Sequence, residues 1–506
     1  MRTRLSAAII AIGLAVAMTP APPAHAVTGS PAEAQVRPET IDAYAHRVRK
    51  ASGMPGMSLV VTHGRRVVHA AGYGHDSTGR PVTARTPMRV ASLSKSFTAA
   101  AVMTLVDEGR IALDRPVAAQ MPEFRTADPR AARITVRQLL NQTSGLSDRT
   151  VDIGATQDAG SLREYVARLR TARLTTDPGT RWAYCNVNYN LAARLVEVAG
   201  GRPFGDYLRR RVFAPLGMNG SAVSDRDVRP ADGHHSLFGL WIARSEAPGF
   251  LDGSGSGGVI TNAHDMGRWL IAQSGQAPRT LNRAALRTMH APGPATGDHR
   301  YGMGWAGEEG GTGPARLVHS GNIFTYNAAQ AIVPSTGYGV AVMVNGAGLT
   351  DVSWSTLEGL LTLIDGRTPP APGRGGHLTE LALGLIVLVS VGLGVLAGFR
   401  ARRWARRRAA APRWRIAPRL VPALLPVAVF AAYPQLVSLI IGGRAVTWAQ
   451  LTYFAAPLTI ALAAAALAGL VAVALRLWAL ARFFRRTGGG DAGDRPLQVQ
   501  AASPQR

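Results

Sequence analysis

Three long apolar runs near the C-terminal end most strongly limit what this chain can fold into. They cover residues 381–399, 420–441 and 451–475, and each is long enough to cross a lipid bilayer. Prolines interrupt the last two runs, which membrane helices tolerate. The sequence therefore predicts a region of three transmembrane helices, residues 378–486, behind a globular region.

The positions of the arginines give the apolar runs a predicted orientation. The 506-residue chain has a formal net charge of +25, and nine arginines lie between Phe399 and Leu420. Four more lie between Leu475 and Thr487. Because cytoplasmic loops next to membrane helices are enriched in Lys and Arg, both segments are expected in the cytoplasm. Since about half of the excess charge lies there, no nucleic-acid partner is predicted.

The N-terminal residues 1–26 have the features of a secretory signal peptide. Arg2 and Arg4 precede an apolar stretch, and Ala24-His25-Ala26 is a small-x-small cleavage site. Together with the arginines, they predict a multi-pass protein of the cell membrane with its globular domain on the extracytoplasmic side. Cys185 is the only cysteine, which excludes an intrachain disulfide and argues against a Cys-ligated metal site.

Residues 36–365 have the composition of one globular domain, and a Pro/Gly-rich linker, 366–377, follows it. A disordered tail is predicted for 487–506. β-type runs lie at both ends of the domain and helical patterns lie between them, which predicts an α/β (α+β) domain with one sheet made from distant pieces and an inserted helical region. The predicted strands are 57–62, 67–71, 317–319, 327–333 and 338–344. The predicted helices include 134–140, 161–174, 188–199, 204–212 and 260–272, whereas 114–124 and 149–160 are predicted loops.

Ser92 and Lys95 form a Ser-x-x-Lys pattern at the head of a predicted helix that ends near Gly109. Residues three apart on a helix share a face, so the Ser92 hydroxyl and the Lys95 amine are expected in one cleft. A hydroxyl beside an amine and near a helix N-terminus is the arrangement of an activated nucleophile. The alternative is that Ser92 only caps the helix and that Lys95 is a surface lysine.

Lysine usage favours the catalytic interpretation. Of the 56 lysine and arginine residues, only Lys50 and Lys95 are lysine. A position that needs only a positive charge would drift to arginine under such a bias. Arginine stays protonated, whereas a buried lysine loses its proton readily. The retained lysine therefore indicates a role in proton transfer.

Two further short patterns follow in order. Tyr184-Cys185-Asn186 comes after Pro178-Gly179 and before a predicted helix, and His319-Ser320-Gly321 lies on a predicted strand. With Ser92-x-x-Lys95 they resemble the three motifs of the serine β-lactamase and penicillin-binding protein superfamily. The similarity is to the branch of class C β-lactamases, DD-carboxypeptidases and esterases, and it covers roughly residues 40–360. Further stretches that resemble the branch are 90–99, 134–140 with 143–146, 178–180 before Tyr184, and 257–259 with Thr261 ahead of Asp265-Met266.

The resemblance implies a fold and a set of roles. The fold is an antiparallel sheet flanked by helices, with a helical subdomain beside it. Ser92 is expected to be acylated, with proton transfer shared between Lys95 and Tyr184. Asn186 is expected to bind Lys95 and the substrate amide. The third motif supplies His319, Gly321 and Asn322 to substrate binding, with backbone N–H groups of Ser92 and Asn322 as the oxyanion hole.

The third motif departs from the Lys-Thr-Gly of class C β-lactamases. An ordinary histidine titrates near pH 6.5, so His319 is expected to attract a substrate carboxylate below that pH and to lose this attraction between about pH 6 and 8. The departure disfavours an efficient β-lactamase. Peptide, β-lactam and ester substrates all stay open.

The predicted function is an exported, membrane-tethered serine hydrolase that acts on cell-wall D-amino-acid peptides, β-lactams or small esters without a cofactor or metal. The sequence leaves the oligomeric state open. One alternative is a non-catalytic penicillin-binding sensor that signals through the membrane helices. Another is a transport or scaffold protein, which the near absence of acidic residues from the apolar runs disfavours. A third is a thiol hydrolase with Cys185 as its nucleophile.

Overall fold

A computed structural model describes residues 36–247, 249–277, 281–309, 313–440 and 445–487. The predicted signal peptide and all but the first residue of the predicted tail lie outside these ranges. The described residues form two compact units, one within 36–380 and 434–456, the other within 381–433 and 457–487. The larger unit holds the predicted globular domain.

Its main feature is a six-stranded antiparallel sheet with the strand order β2-β1-β10-β9-β8-β7. The prediction of one sheet from distant pieces is confirmed, because β1 lies beside β10 in a register from Met57↔Val344 to His63↔Tyr338. The strands are β1 (Gly56–His63), β2 (Arg66–Gly74), β3 (Met88–Arg89), β4 (Gly233–Leu237), β5 (Leu240–Arg244), β6 (Ile260–Thr261), β7 (Ala306–Glu308), β8 (Arg316–Asn322), β9 (Asn327–Val333), β10 (Tyr338–Val344) and β11 (Gly346–Ala347).

Both faces of the sheet are buried. Leu59 and Val61 of β1 pack into one apolar core, while Val60 between them packs into the other. Side chains alternate between faces along a strand, so a strand buried on both sides needs a continuous apolar run. The helices of this domain are α1 (Pro38–Ser52), α2 (Ser94–Asp107), α3 (Val117–Gln120), α4 (Val136–Leu140), α5 (Ile153–Gln157), α6 (Leu162–Ala167), α7 (Asn186–Gly200), α8 (Phe204–Leu208), α9 (Ala214–Leu216), α10 (Ala263–Gln273), α11 (Arg283–His290) and α12 (Val352–Ile364).

Several local predictions were wrong. The two predicted loops contain the short helices α3 and α5. The predicted helix 161–174 ends as α6 at Ala167 and continues as a 3₁₀ turn, and the predicted helix 204–212 becomes a π-helix at Arg209–Phe213. The hairpin β4–β5 was not predicted, because its turn residues, Phe238 and Gly239, are not the usual Asn-Gly or Asp-Gly signal.

The C-terminal region contains two helices long and apolar enough to cross a membrane, Gly375–Arg406 and Ala456–Arg485. Two shorter helices, bent by 57° at their junction, make a third span only if they are counted together. The last helix begins at residue 456 instead of the predicted 451, because Pro457 fits the first turn of a new helix. The helices here are α13 (Gly375–Arg406), α14 (Arg413–Ile416), α15 (Val421–Ala431), α16 (Tyr433–Ile440), α17 (Trp448–Phe454) and α18 (Ala456–Thr487).

Candidate active site

Ser92 lies in a 3₁₀ turn, Ala91–Leu93, that connects β3 to the first residue of α2. The predicted helix thus starts slightly later than expected, and Ser92 precedes its first turn. Ala91 has φ = 49°, a left-handed conformation that is rare for a residue with a side chain. Such strain concentrates at functional sites, where surrounding contacts hold it. Here the N–H of Val90 donates to the carbonyl of Val259 (3.1 Å).

Two donors from different elements converge on the Ser92 hydroxyl. Lys95 Nζ lies 2.9 Å and the Tyr184 hydroxyl 2.8 Å from Ser92 Oγ. Tyr184 belongs to the segment before α7, 92 residues further along the chain. The structure therefore brings together the first two motifs of the sequence in hydrogen-bonding geometry.

Lys95 is completely buried, and its ammonium group is surrounded by oxygen acceptors and aromatic rings. Besides Ser92, Nζ donates to Asn186 Oδ1 (2.9 Å) and to the carbonyl of Ser256 (2.8 Å). It also lies 4.9 Å from the centre of the Tyr184 ring. Burial of a charge is costly without such compensation. Ser256 was not predicted; it belongs to the Gly/Ser-rich segment 253–258, which the sequence indicates only as a turn.

Gln142, which was not predicted as a site residue, holds the second motif in place. Its φ is 63°, and its side-chain Oε1 accepts hydrogen bonds from the backbone N–H of Cys185 (3.1 Å) and from Asn188 (2.6 Å). Its carbonyl accepts a hydrogen bond from the N–H of Ala183 (2.9 Å). No sequence pattern marked Gln142, which lies between the stretches 134–140 and 143–146. Cys185 itself is completely buried, which argues against the thiol alternative.

The third motif lies on the end of β8, beside the nucleophile. A Cβ atom on Gly321 would lie 2.5 Å from the carbonyl oxygen of Val90 and 3.0 Å from the nitrogen of Ser92. Such distances exclude any side chain at position 321. Gly321 thus lets the strand approach the backbone of Ser92.

The N–H of Asn322 faces the open edge of the sheet. β7 pairs with β8 only as far as Val318, and the N–H of Ile323 donates to Tyr326 on the β9 side. Because N–H groups alternate in direction along an antiparallel strand, those of Ser320 and Asn322 point away from β9. The N–H of Asn322 is therefore not used in pairing with β9 or β7.

His319 does not have the charge that the sequence led us to expect. Burial, followed by the positive charge of Lys95, lowers its pKa to about 3. Its Nδ1 donates to the carbonyl of Ser320 (2.7 Å), so Nε2 accepts from the hydroxyl of Tyr301 (3.0 Å). The histidine is therefore neutral throughout pH 6–8, and the predicted loss of carboxylate attraction in that window was wrong. Tyr301 was not predicted, because no motif surrounds it.

The family model described as Beta-lactamase matches residues 41–358. The chain belongs to the β-lactamase family. As a member of this family it is a serine hydrolase, and its fold is the mixed α/β fold of β-lactamases and penicillin-binding proteins. Both predictions are thereby confirmed.

Two curated relatives of this β-lactamase-family chain cover most of the globular domain. Penicillin-binding protein 4 of Amycolatopsis lactamdurans is 31% identical over 366 residues, 65% of this chain and 92% of that protein. The D-alanyl-D-alanine-carboxypeptidase/endopeptidase AmpH of Escherichia coli strain K12 is 28% identical over 370 residues, 67% of this chain and 92% of that protein.

Solved structures agree on the fold. The octameric penicillin-binding protein homologue from Pyrococcus abyssi has a TM-score of 0.57 at 23% identity and covers 69% of this chain and 81% of its own. The penicillin-binding protein from Bacillus halodurans has a TM-score of 0.55 at 22% identity, over 63% of this chain and 98% of its own. At these identities the similarity supports the fold alone.

Proposed function

We propose that this chain is a membrane-tethered hydrolase that forms an acyl-enzyme at Ser92. The observation that carries the proposal is the convergence of Lys95 Nζ and the Tyr184 hydroxyl on Ser92 Oγ, at 2.9 and 2.8 Å. A serine hydroxyl is a weak nucleophile until a neighbouring group takes its proton. Both neighbours here are titratable and lie within reach of that proton.

The proposed reaction has two steps and starts with one member of the Lys95–Tyr184 pair deprotonated. Ser92 Oγ attacks the substrate carbonyl carbon, its proton moves to that deprotonated group, and the bond to the leaving amine or alcohol breaks as the leaving group takes up the proton. Water then attacks the ester carbonyl, gives one proton to the pair, and releases the acid as Ser92 regains its hydroxyl proton. Lys95 and Tyr184 thus return to their starting state after each cycle.

We propose the backbone N–H groups of Ser92 and Asn322 as donors to the carbonyl oxygen during attack. Preformed donors stabilise negative charge on that oxygen without reorganisation. The support is the close approach of β8 to Ser92 at Gly321 and the direction of the Asn322 N–H. Asn186, which accepts a hydrogen bond from Lys95 through Oδ1, is proposed to donate to the substrate amide through its NH₂ group.

The proposed substrates are D-amino-acid peptides of the cell wall and related amides and esters, with β-lactams as acylating ligands. The names of the two curated relatives support peptides and penicillins. Because His319 is neutral, we propose that it contacts the substrate as a polar neutral group instead of as a counter-ion.

Ser92→Ala tests the nucleophile directly. We expect it to abolish covalent labelling by a fluorescent penicillin and by a fluorophosphonate, and to lower peptide and ester turnover by several orders of magnitude. Ser94→Ala is the matched control: Ser94 Oγ accepts a hydrogen bond from the buried N–H of Val259, so this variant disturbs the same loop without touching Ser92 Oγ. Labelling of Ser92→Ala at another residue would contradict the proposal.

Turnover separates a hydrolase from a sensor. A chain that is labelled by penicillin but releases no product from peptides or esters would be a binding protein only. We expect repeated turnover, because both proton-transfer groups remain beside Ser92.

We also propose that α13 and α18 anchor the chain, with the hydrolase domain outside the cytoplasm. Their lengths and apolar composition support the anchoring, and the arginines at the C-terminal end of each helix and in the segment after α13 support the sidedness. Protease added to protoplasts should digest the domain within 40–365 and spare the arginine-rich segment 400–419. Cleavage of that segment from outside would reverse the orientation.

A further inference from the structure

The hairpin β4–β5 has a tight turn built from two left-handed residues. Phe238 has φ = 52° and Gly239 has φ = 86°, and Leu237 pairs directly with Leu240 across the turn. Two positive φ values identify the type I′ geometry of two-residue hairpins. Phenylalanine in this conformation is strained, so external contacts must hold the turn.

One such contact comes from the residues just before the first long apolar run. Glu380 is only 3% exposed, and its Oε2 accepts hydrogen bonds from Ser236 Oγ (2.6 Å) and from the N–H of Gly239 (2.9 Å). The His377 ring lies so near Gly239 that a Cβ atom there would be 2.6 Å from it. The hairpin turn is therefore clamped to the first turn of α13, and Leu381 follows Glu380 directly.

A second contact comes from the residues just before the last apolar helix. The Arg244 guanidinium lies 3.3 Å from the centre of the Tyr453 ring, and Arg244 Nη1 donates to the carbonyl of Thr452 (2.9 Å). The Tyr453 hydroxyl also reaches the carbonyl of Glu246 (3.4 Å). α18 begins three residues after Tyr453. One hairpin thus touches the N-terminal end of α13, just before the apolar run 381–399, and the residues just before α18.

The same hairpin exposes apolar side chains. Leu240 is 68% and Ile242 is 40% exposed, and Leu378 beside the clamp is 62% exposed. Leu240, Ile242 and Arg244 alternate along β5 and so lie on one face of the strand. In the described residues before Glu380, the other large apolar side chains with comparable exposure are the isolated Val67 and Val198.

We propose that the β4–β5 hairpin is a membrane-docking element, with Leu240 and Ile242 inserted at the boundary between lipid headgroups and acyl chains. This inference rests on the proposed anchoring by α13 and α18. Since the hairpin holds the first residues of α13, just before the apolar run 381–399, and the residues just before α18, the proposal puts it at the level where the chain enters the bilayer. Leu378 adds to the same apolar surface.

The chemistry of the neighbouring residues fits this interface. Apolar side chains beside a cation are suited to acyl chains below and lipid phosphates above. Arg244 supplies the cation, while Trp448 and Tyr453 have the amphipathic rings that concentrate at membrane surfaces. Docking would hold the domain in one orientation above the membrane.

The test places an environment-sensitive fluorophore on the hairpin of the full-length protein in phosphatidylcholine vesicles. Leu240→Cys is labelled with a nitrobenzoxadiazole maleimide, and emission is compared between vesicles with and without doxyl-labelled lipids. Cys185 is completely buried, so the unsubstituted protein measures background labelling. Val67→Cys and Val198→Cys are the matched controls, since each replaces an exposed apolar residue on another element.

We expect a blue-shifted emission and quenching by a headgroup-proximal doxyl lipid for the Leu240 probe alone. If the Leu240 probe is quenched no more than the two control probes in protein that floats with the vesicles, the docking proposal is overturned. Failure of the protein to float with vesicles would overturn the anchoring proposal instead, so the two failures are distinguishable. As a second variant, Leu240→Asp with Ile242→Asp should make a probe at Leu378→Cys lose its quenching while flotation persists.

Discussion

Two buried cations flank Ser92 in the sequence, and their surroundings differ. Arg89 donates through Nη2 to both carboxylate oxygens of Asp225 (2.7 and 2.6 Å), and its Nε lies 3.4 Å from Glu246. Lys95 donates to a hydroxyl, an amide oxygen and a backbone carbonyl. Arg89 is thus held by carboxylates, whereas these three partners of Lys95 are neutral.

Under the proposed mechanism, Arg89 has a structural role, whereas Lys95 takes part in proton transfer. Carboxylates stabilise a charged guanidinium in a fixed bidentate geometry and give no reason to change its protonation. The proposed proton transfer at Ser92 requires a cation that can lose its proton, which a lysine can do and an arginine cannot. Under the proposed mechanism, lysine is kept at position 95 because a titratable amine is needed there.

The largest expected effect on activity comes from replacing Lys95 with arginine, and it is compared with the effect of replacing Arg89 with lysine. Lys95→Arg should lower peptide or ester turnover by about 10²- to 10⁴-fold, because the guanidinium stays protonated and does not fit the fully buried site. Arg89→Lys should keep most of the activity and cost about 1–3 kcal/mol of stability through loss of the bidentate contact. Steady-state rates and unfolding curves of both variants, with Lys95→Ala as reference, make the comparison.

Equal losses of activity in Lys95→Arg and Arg89→Lys would remove the distinction between the two sites. High activity in Lys95→Arg alone would reduce Lys95 to an electrostatic anchor. Unfolding curves show whether either loss comes from the fold instead of the chemistry.

A smaller effect is expected from Glu246, the second carboxylate beside Arg89. Burial raises its pKa to about 7, and its Oε2 is buried with no hydrogen-bond partner among the described residues. The folded state then binds this proton more tightly than the unfolded state, so wild-type stability falls as pH rises from about 4.5 to about 7. Glu246→Gln removes the titration and should become more stable relative to wild type across that window.

At about 1.4 kcal/mol per pKa unit, the relative gain of Glu246→Gln between pH 5 and pH 8 should be roughly 2–3 kcal/mol. Thermal unfolding of both proteins in the same detergent at several pH values measures it. Histidines whose pKa burial lowers contribute equally to both proteins and cancel. Glu309→Gln, at a side chain that is 80% exposed, controls for removal of one surface carboxylate. A constant difference from pH 5 to pH 8 would contradict a raised pKa at Glu246.

The smallest effect is the one that pH is expected to have on substrate binding through His319. This residue lies in the site with Lys95 but carries no charge near neutral pH. The ratio of KM for an anionic peptide to KM for a neutral ester should not change between pH 6 and 8, since the pKa of His319 is about 3. Its effect on stability is confined to acid, where stability present above about pH 6.5 is lost as pH falls. If the KM ratio climbs with pH in wild type and is flat in His319→Gln, then His319 is protonated within this pH range and the neutral assignment is wrong.

The motifs predicted to contain the catalytic residues could be recognised in the sequence because each is local. Ser92 and Lys95 share a turn, Tyr184 and Asn186 share a segment, and the patterns of the sheet strands predicted one sheet from distant pieces. Continuous apolar runs mark strands buried on both faces, and long apolar helices are recognisable by length. These features need only nearest neighbours in the chain and the requirement to bury apolar surface.

Properties that depend on contacts between distant segments were decided only by the tertiary structure. The protonation of His319 follows from burial and from Lys95, more than 200 positions away, and no local pattern encodes either. Gln142, Ser256 and Tyr301 entered the site because the fold brought their loops there. The β4–β5 hairpin escaped prediction because its Phe238-Gly239 turn is held by His377 and Glu380 at the N-terminal end of α13. Such contacts exist only after folding, so the sequence specifies them solely through the completed structure.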